Sequence, residues 1–188
     1  TLSGSSAITL ATPPIPTITV IDASGTTPDD AIICNGSSAI LDAGAYSAWS
    51  WSNSETTQIT TVSAAGTYTV MVTDMNGCNG TDSQLVTVNS NPIPTITVTE
   101  TSGTTDDDGI LCSGDAATLN TGVHTSYLWS TTETTQAISV NTSNTFIVTV
   151  TDDNACSGTD DINILVNPMP VAALSGTTTV CPAITSAT

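Results

Sequence analysis

Five cysteines, at positions 34, 78, 112, 156 and 181, are the residues of this chain best suited to covalent chemistry. The first four form two sets with the same 44-residue spacing, 34 to 78 and 112 to 156. No CxxC pair occurs and His124 is the single histidine, so the spacing that zinc sites use is missing. Regular, even spacing in an acidic, Thr-rich chain instead points to disulfides made in an oxidising compartment.

Carboxylates are the second candidate chemistry. Asp29 and Asp30, then Asp107 and Asp108, precede the first cysteine of each set; Asp74 and Asp82, then Asp152 and Asp160, bracket the second. Clustered Asp side chains in loops are the oxygen ligands Ca²⁺ prefers. Asp also favours turns for its own hydrogen-bonding reasons, so solvated turns are the competing account, and none of these segments matches an EF-hand loop. Calcium is therefore the one cofactor the pattern admits. Catalysis finds no constellation. Glu55 and Glu133 are single carboxylates after a Trp-containing segment, and the first repeat has no His or Lys to activate its many hydroxyls. The chain is expected not to be an enzyme.

Aromatics are few. Trp51 and Trp129, with Tyr68 and Phe146, are expected in the core. Trp49, Tyr46 and Tyr127 could line a sugar-stacking platform, but strand parity and loop position favour structural roles. His124 stands where the first copy has Tyr46, which marks a tolerant loop position and not a base or ligand.

These residues are placed by a unit written twice. Pro14-Ile15-Pro16-Thr17-Ile18-Thr19-Val20 recurs as Pro92-Ile93-Pro94-Thr95-Ile96-Thr97-Val98, and the same 78-residue offset carries Cys34 to Cys112, Trp51 to Trp129 and Cys78 to Cys156. A fixed period is the mark of an array built for length or multivalency. Residues 1–12 read as the last strand of a preceding module, 13–90 and 91–168 as two full modules, and 169–188 as the opening of a third. Within the first, runs near 15–22, 38–43, 47–52, 58–63, 67–73 and 84–89 read as strands. Tyr68-Thr69-Val70-Met71-Val72-Thr73 shows the clearest alternation. Gly66 and Asn144 are expected in the tight turn before it, where positive φ is cheap. Many short strands separated by turn residues indicate an all-β chain of tandem antiparallel sandwiches with Ig-like topology. The Pro-containing boundaries are too short to let neighbours swing freely.

Composition narrows the partners. There are 17 Asp and Glu and no Lys or Arg, a formal net charge of −17. Phosphate recognition needs cationic side chains, so nucleic acid is excluded, and an anionic membrane surface would repel the chain. No run reaches the ~20 apolar residues of a membrane helix. Stability has to come from apolar burial, strand pairing and disulfides, while mutual repulsion favours solubility and extension. Trypsin has no cleavage site.

The series Cys34, Gly36, Leu41, Trp51-Ser52, Thr56-Thr57, Val62, Gly66-Thr67-Tyr68-Thr69-Val70, Val72-Thr73-Asp74, Gly77-Cys78 resembles the Ig-like/PKD-like repeats of giant secreted surface proteins of Bacteroidota, gliding-motility adhesins among them. Both copies match over their length; the second departs at Asn144 and Ala155, where glycine is usual. The resemblance implies extracellular display as part of an adhesin or fibre. Neighbouring modules would be the main partners, with lateral copies of the chain or surface polysaccharide as others. A carbohydrate-binding or spacer module of a secreted polysaccharide-degrading enzyme, or a segment of a self-assembling filament or sheath, is the alternative.

Ig-like topology bears on the cysteine pairing. Cys34 precedes the strand at 38–43, whereas Cys78 lies in the loop between the last two strands. Those places sit at opposite ends of an Ig sandwich, about 20 Å apart, and a disulfide needs Cα atoms within ~7 Å. Stacked head to tail, the bottom of one module meets the top of the next, so Cys34 with Cys156 is the favoured pair, leaving Cys181 for a following module. Intramodule bonds, Cys34 with Cys78 and Cys112 with Cys156, and free thiols stay open as alternatives.

Overall fold

The computed structural model describes residues 10–170. The expected strand in residues 1–12, apart from its last three positions, and most of the third-module start, Cys181 included, lie outside them. Every regular element among the described residues is a strand: β1 (Thr19–Ile21), β2 (Ile32–Cys34), β3 (Ala39–Asp42), β4 (Ala48–Trp51), β5 (Ile59–Val62), β6 (Gly66–Thr73) and β7 (Asn79–Asn89), then β8 (Thr97–Thr99), β9 (Ile110–Cys112), β10 (Ala117–Asn120), β11 (Ser126–Trp129), β12 (Ala137–Val140), β13 (Asn144–Thr151) and β14 (Ser157–Asn167).

The strands assemble as two copies of one plan. A three-stranded sheet, β1-β3-β5, faces a four-stranded sheet, β2-β7-β6-β4; β8-β10-β12 and β9-β14-β13-β11 repeat it. Leu41, Val62 and Ala39 from the first sheet meet Ile33, Trp51, Val70, Val72 and Val86 from the second in one core. Leu119, Ile138 and Val140 meet Leu111, Trp129, Phe146, Val148, Val150 and Ile164 in the other. Alternation explains the faces. In β13 the even-numbered Phe146, Val148 and Val150 point inward and are buried, while Ile147 points out. The result is an all-β chain of Ig-like sandwiches, antiparallel except for one pair in each.

That exception is a strand the periodicity does not reveal. Ile32–Cys34 lies outside the runs read as strands; it pairs in parallel with the end of β7, Ile32 opposite Thr87 and Cys34 opposite Asn89, and β9 repeats this beside β14. Three residues are too short for a visible alternation, and the parallel partner is supplied by residues more than 50 positions away. β7 likewise begins at Asn79, not near 84, because its polar first half is held by the hairpin ladder with β6.

Gly66 and Asn144 need correction. They open β6 and β13 as extended residues and have no positive φ; they follow a crossing from one sheet to the other, which needs no left-handed turn. Left-handed backbone occurs elsewhere, including Gly77 (φ 80) and its counterpart Ala155 (φ 58).

Each sandwich is entered through its Pro-Ile-Pro segment, which crosses the start of the last hairpin. A Cβ on Gly80 would lie 2.0 Å from the carbonyl oxygen of Pro14, and one on Gly158 would lie 1.9 Å from that of Pro92. Only glycine admits so close a backbone approach. Nearby, the carboxylates of Asp82 and Asp160 accept the N–H groups of Ile18 and Ile96, each at 2.8 Å.

Candidate functional site

The part of the molecule where distant residues converge is the joint between the two sandwiches. On the first sandwich it is formed by the loop between β1 and β2 together with the end of β2. With no cationic side chain available, the loop is organised by carboxylates accepting backbone N–H groups. Asp29 Oδ1 accepts from Asp22 at 2.9 Å, buried Asp22 Oδ2 from Ala31 at 3.0 Å, and Asp30 Oδ1 from Ile32 at 2.8 Å. Ser24 Oγ accepts the Cys34 N–H at 3.2 Å and so seats the cysteine against the loop.

On the second sandwich the joint is the turn before β14. Asp152 Oδ1 accepts the N–H groups of Asn154 and Cys156, both at 2.9 Å, and the backbone of the same residue closes the turn with Cys156 and Ala155. The turn points its cysteine at the first sandwich, and Cys34 is joined to Cys156 by a disulfide, Cα to Cα 5.5 Å. Both cysteines are buried, Cys34 to 8% exposure and Cys156 to 0%. Beside the bond a polar cleft of about 230 Å³ lies between the sandwiches, lined by Ser24, Gly25, Asn35, Ser37, Asn91 and Ala155 among others. A Cβ on Gly25 would meet the carbonyl oxygen of Ile32 at 2.8 Å and that of Asn154 at 3.8 Å. Asn91, in the connecting segment, donates its side-chain N–H to the carbonyl of Asn35 at 3.1 Å.

Neither Cys34 with Cys78 nor Cys112 with Cys156 is bonded. Cys78, half-buried, and Cys112, exposed, carry no disulfide.

The eight carboxylates singled out for calcium all accept backbone N–H groups. Asp29, Asp30, Asp74 and Asp82 do so in the first sandwich and Asp107, Asp108, Asp152 and Asp160 in the second. Among the described residues no three His, Cys, Asp or Glu side chains gather as an ion would require. In the structure these acids hold the backbone of turns, of strand starts and of the segments that follow Pro16 and Pro94. For Asp30, Asp74, Asp108 and Asp152 the signal is a position two residues before the N–H that each holds, whereas Asp29 and Asp107 reach back seven residues and Asp82 and Asp160 reach across 64.

The aromatics turn inward. Trp51 and Trp129 are 3% and 1% exposed, and their indole N–H groups donate to the carbonyls of Thr57 and Thr135. Phe146 is buried, whereas Tyr68 is half-buried with its hydroxyl donating to the Ala64 carbonyl. Trp49, Tyr46 and Tyr127 pack against the cores; Trp49 donates to Gly44 and Tyr127 to Gly122. They form no exposed row. His124 stands edge-on to Tyr127, with 6.1 Å between ring centres, and the carbonyls of Glu55 and Glu133 accept the Trp51 and Trp129 N–H groups in tight turns.

No protein-family model matches the chain, and no curated protein does. Among solved structures, similarity is found to murine CEACAM1b, at 10% identity over 80% of this chain and 100% of that one, TM-score 0.32. It is found also to a structure bearing on host cell surface retention of a 1.5-MDa bacterial ice-binding adhesin, at 19% identity over 84% of this chain and 66% of that one, TM-score 0.36. A third is the Bacteroides ovatus mixed-linkage glucan utilization locus protein SGBP-B in complex with a mixed-linkage heptasaccharide, at 12% identity over 78% of this chain and 45% of that one, TM-score 0.19. Likenesses at this level assign neither a family nor a ligand.

Proposed function

We propose that this chain is a structural repeat segment of a bacterial cell-surface adhesin or extracellular fibre, a stiff acidic stalk that extends and presents what lies beyond it. The observation that carries this is the Cys34–Cys156 bond, which fastens one sandwich to the next in place of a swinging linker. A disulfide suits an oxidising, extracytoplasmic setting. The uniform negative charge keeps neighbouring sandwiches from collapsing on one another. A glycan-binding module would call for an aromatic platform, and the candidate aromatics are committed to the cores. Lateral sheet-to-sheet assembly would call for long open edges; the edge strands β1, β2, β4 and β5 are three or four residues each.

The bond also sets the path of a pulling force. Tension entering before Cys34 crosses the sulfurs to Cys156 and leaves through β14, so the intervening chain is off the load path. With a separation of 122 residues, the bypassed chain is worth roughly 400–440 Å of extension at ~3.3–3.6 Å per residue. Single-molecule pulling between the chain ends is the test. The oxidised protein should reach a contour length shorter than the reduced protein by that amount. Equal contour lengths, with the bond verified by mass spectrometry, would refute the role of the bond in carrying tension.

A further inference from the structure

We propose that the polar cleft beside the Cys34–Cys156 bond is an entry site for a small cationic thiol, which attacks the Cys34 sulfur and unlocks the joint between the sandwiches. Such control rests on the stalk reading above, because opening the bond matters only if the bond stiffens the chain. The two sulfurs are not equivalent. Cys156 is 0% exposed, whereas Cys34 keeps 8%. Cys34 lines the cleft with Ser24, Asn35, Ser37 and Asn91; across from them stand Ala155 and Ser157, but Cys156 between those two does not reach the cleft. Thiol–disulfide exchange depends on which sulfur can be reached, so a thiolate arriving from solvent meets Cys34.

Size and charge select the thiol. The cleft holds about 230 Å³, the share of roughly seven waters at ~30 Å³ each, which admits a molecule like cysteamine and shuts out the active site of a protein reductase. Its two walls belong to the loop that carries Asp22, Asp29 and Asp30 and to the turn that carries Asp152 and Asp153, and no Lys or Arg offsets them. Asn91 spends its side-chain N–H on the Asn35 carbonyl, while its side-chain oxygen is buried and accepts nothing. That oxygen is an acceptor for the ammonium group of a cationic thiol. An anionic thiol is repelled by the surrounding carboxylates and finds no donor to replace water.

The exchange has two steps. The entering thiolate bonds to Cys34 Sγ, the Cys34–Cys156 bond breaks, and its electron pair leaves on Cys156 as a thiolate. A second small thiolate attacks the small-molecule sulfur of the mixed disulfide and expels Cys34 as a thiolate. Two small thiols are oxidised to one small disulfide, the protein disulfide is reduced, and the two thiol protons end on Cys34 and Cys156. The freed Cys156 sulfur lies 3.9 Å from the Asn154 carbonyl oxygen, with no cation in the chain to receive its charge. Held beside Cys34, it attacks back and reseals the joint unless the second thiol arrives first.

The test uses the full chain with Cys78→Ser, Cys112→Ser and Cys181→Ser, which leaves Cys34 and Cys156 as its only cysteines. A digest without reductant comes first: absence of the Cys34–Cys156 peptide pair overturns the stalk reading itself. The folded protein is then treated with cysteamine, acidified early in the reaction and digested on the N-terminal side of Asp. Cysteamine should sit on Cys34 in preference to Cys156 by about tenfold or more. At about 0.01 M salt, cysteamine should attack at least about tenfold faster per thiolate than 2-mercaptoethanesulfonate, each rate divided by that toward oxidised mercaptoethanol. The advantage should shrink at about 0.5 M. Ser37→Phe, which fills the cleft from a half-buried position, should slow cysteamine about tenfold and leave the thermal melt in place. With the Cys34–Cys156 pair present, equal labelling of the two cysteines, equal corrected rates for the two thiols, or undiminished attack on a Ser37→Phe chain of unchanged melt overturns this proposal and leaves the stalk reading standing.

Discussion

The absence of Lys and Arg leaves the carboxylates of the described residues to backbone N–H groups and a few neutral side chains, Gln58, Ser102 and Thr125 donating to Asp42, Asp115 and Asp153. Asp22, only 6% exposed, and Glu100, 4% exposed, would be costly buried charges without such donors. Glu100 accepts from Ser102 and Asp108, and Asp22 from Ala31. Hydrogen bonds to a charged acceptor contribute about 1.5–3 kcal/mol each. Asp160→Ala deletes the acceptor of the Ile96 N–H, which is held 2.8 Å from it in a partly buried position. The variant should lose about 2 kcal/mol in urea denaturation of the second sandwich, and amide exchange at Ile96 should accelerate while exchange in the first sandwich holds. EGTA added to the wild type should leave the melt where it was. A drop on chelation would mean that these acids hold an ion as well as a loop. In the sequence their clustering was plain, but their targets were not, because the Asp160 partner lies 64 residues away.

At the level of elements, alternation made β6 and β13 legible, and the Trp-bearing β4 and β11 with them, because each presents one apolar face to one core. β2 and β9 were not legible: three residues leave no period to read, and their pairing is fixed by β7 and β14 from the far end of the module. Gly80 and Gly158 were invisible for a related reason. Nothing local distinguishes them from other strand glycines, yet the Pro-Ile-Pro segment lies on top of their Cα atoms. Gly158→Ala would force a methyl group against the Pro92 carbonyl, backbone against backbone, with no side chain free to yield. The segment has to lift, which disturbs the Ile96 tether and the connection between the sandwiches together. A loss of about 2–4 kcal/mol is expected for this one methyl, the scale of severe overpacking, by urea denaturation. Gly36→Ala is the control: its Cβ meets nothing within 4 Å, although φ is 90°, so only the smaller conformational cost of about 1–2 kcal/mol applies. Equal losses at the two positions would show that the close approach is not maintained in solution.

Across the whole molecule two forces act on the angle between the sandwiches, and they respond differently to conditions. Electrostatic repulsion from a net charge of −17 extends the chain at any joint but fades with salt, the screening length falling from about 30 Å at 0.01 M to about 8 Å at 0.15 M. The Cys34–Cys156 bond and the Asn91 contact to Asn35 are indifferent to salt. The pairing itself was within reach of the sequence, since the distance between cysteine positions in an Ig-like sandwich disfavours a bond inside one module. The polar packing beside it was not, because Gly25, Asn35 and Asn91 are ordinary loop residues until the second sandwich is set against them. Small-angle scattering on the oxidised chain and on Cys34→Ser/Cys156→Ser, each at low and high salt, separates the two forces. The oxidised chain should keep its maximum dimension throughout. The double variant should match it at 0.01 M and shorten at 0.5 M, as screened sandwiches tilt together about residues 90–91, just ahead of the Pro92–Ile96 stretch held on the second sandwich. If the variant also stays extended in high salt, the short Pro-containing connection alone fixes the angle and the disulfide contributes resistance to pulling rather than stiffness. If both shorten, the joint is not rigid and the stalk reading fails.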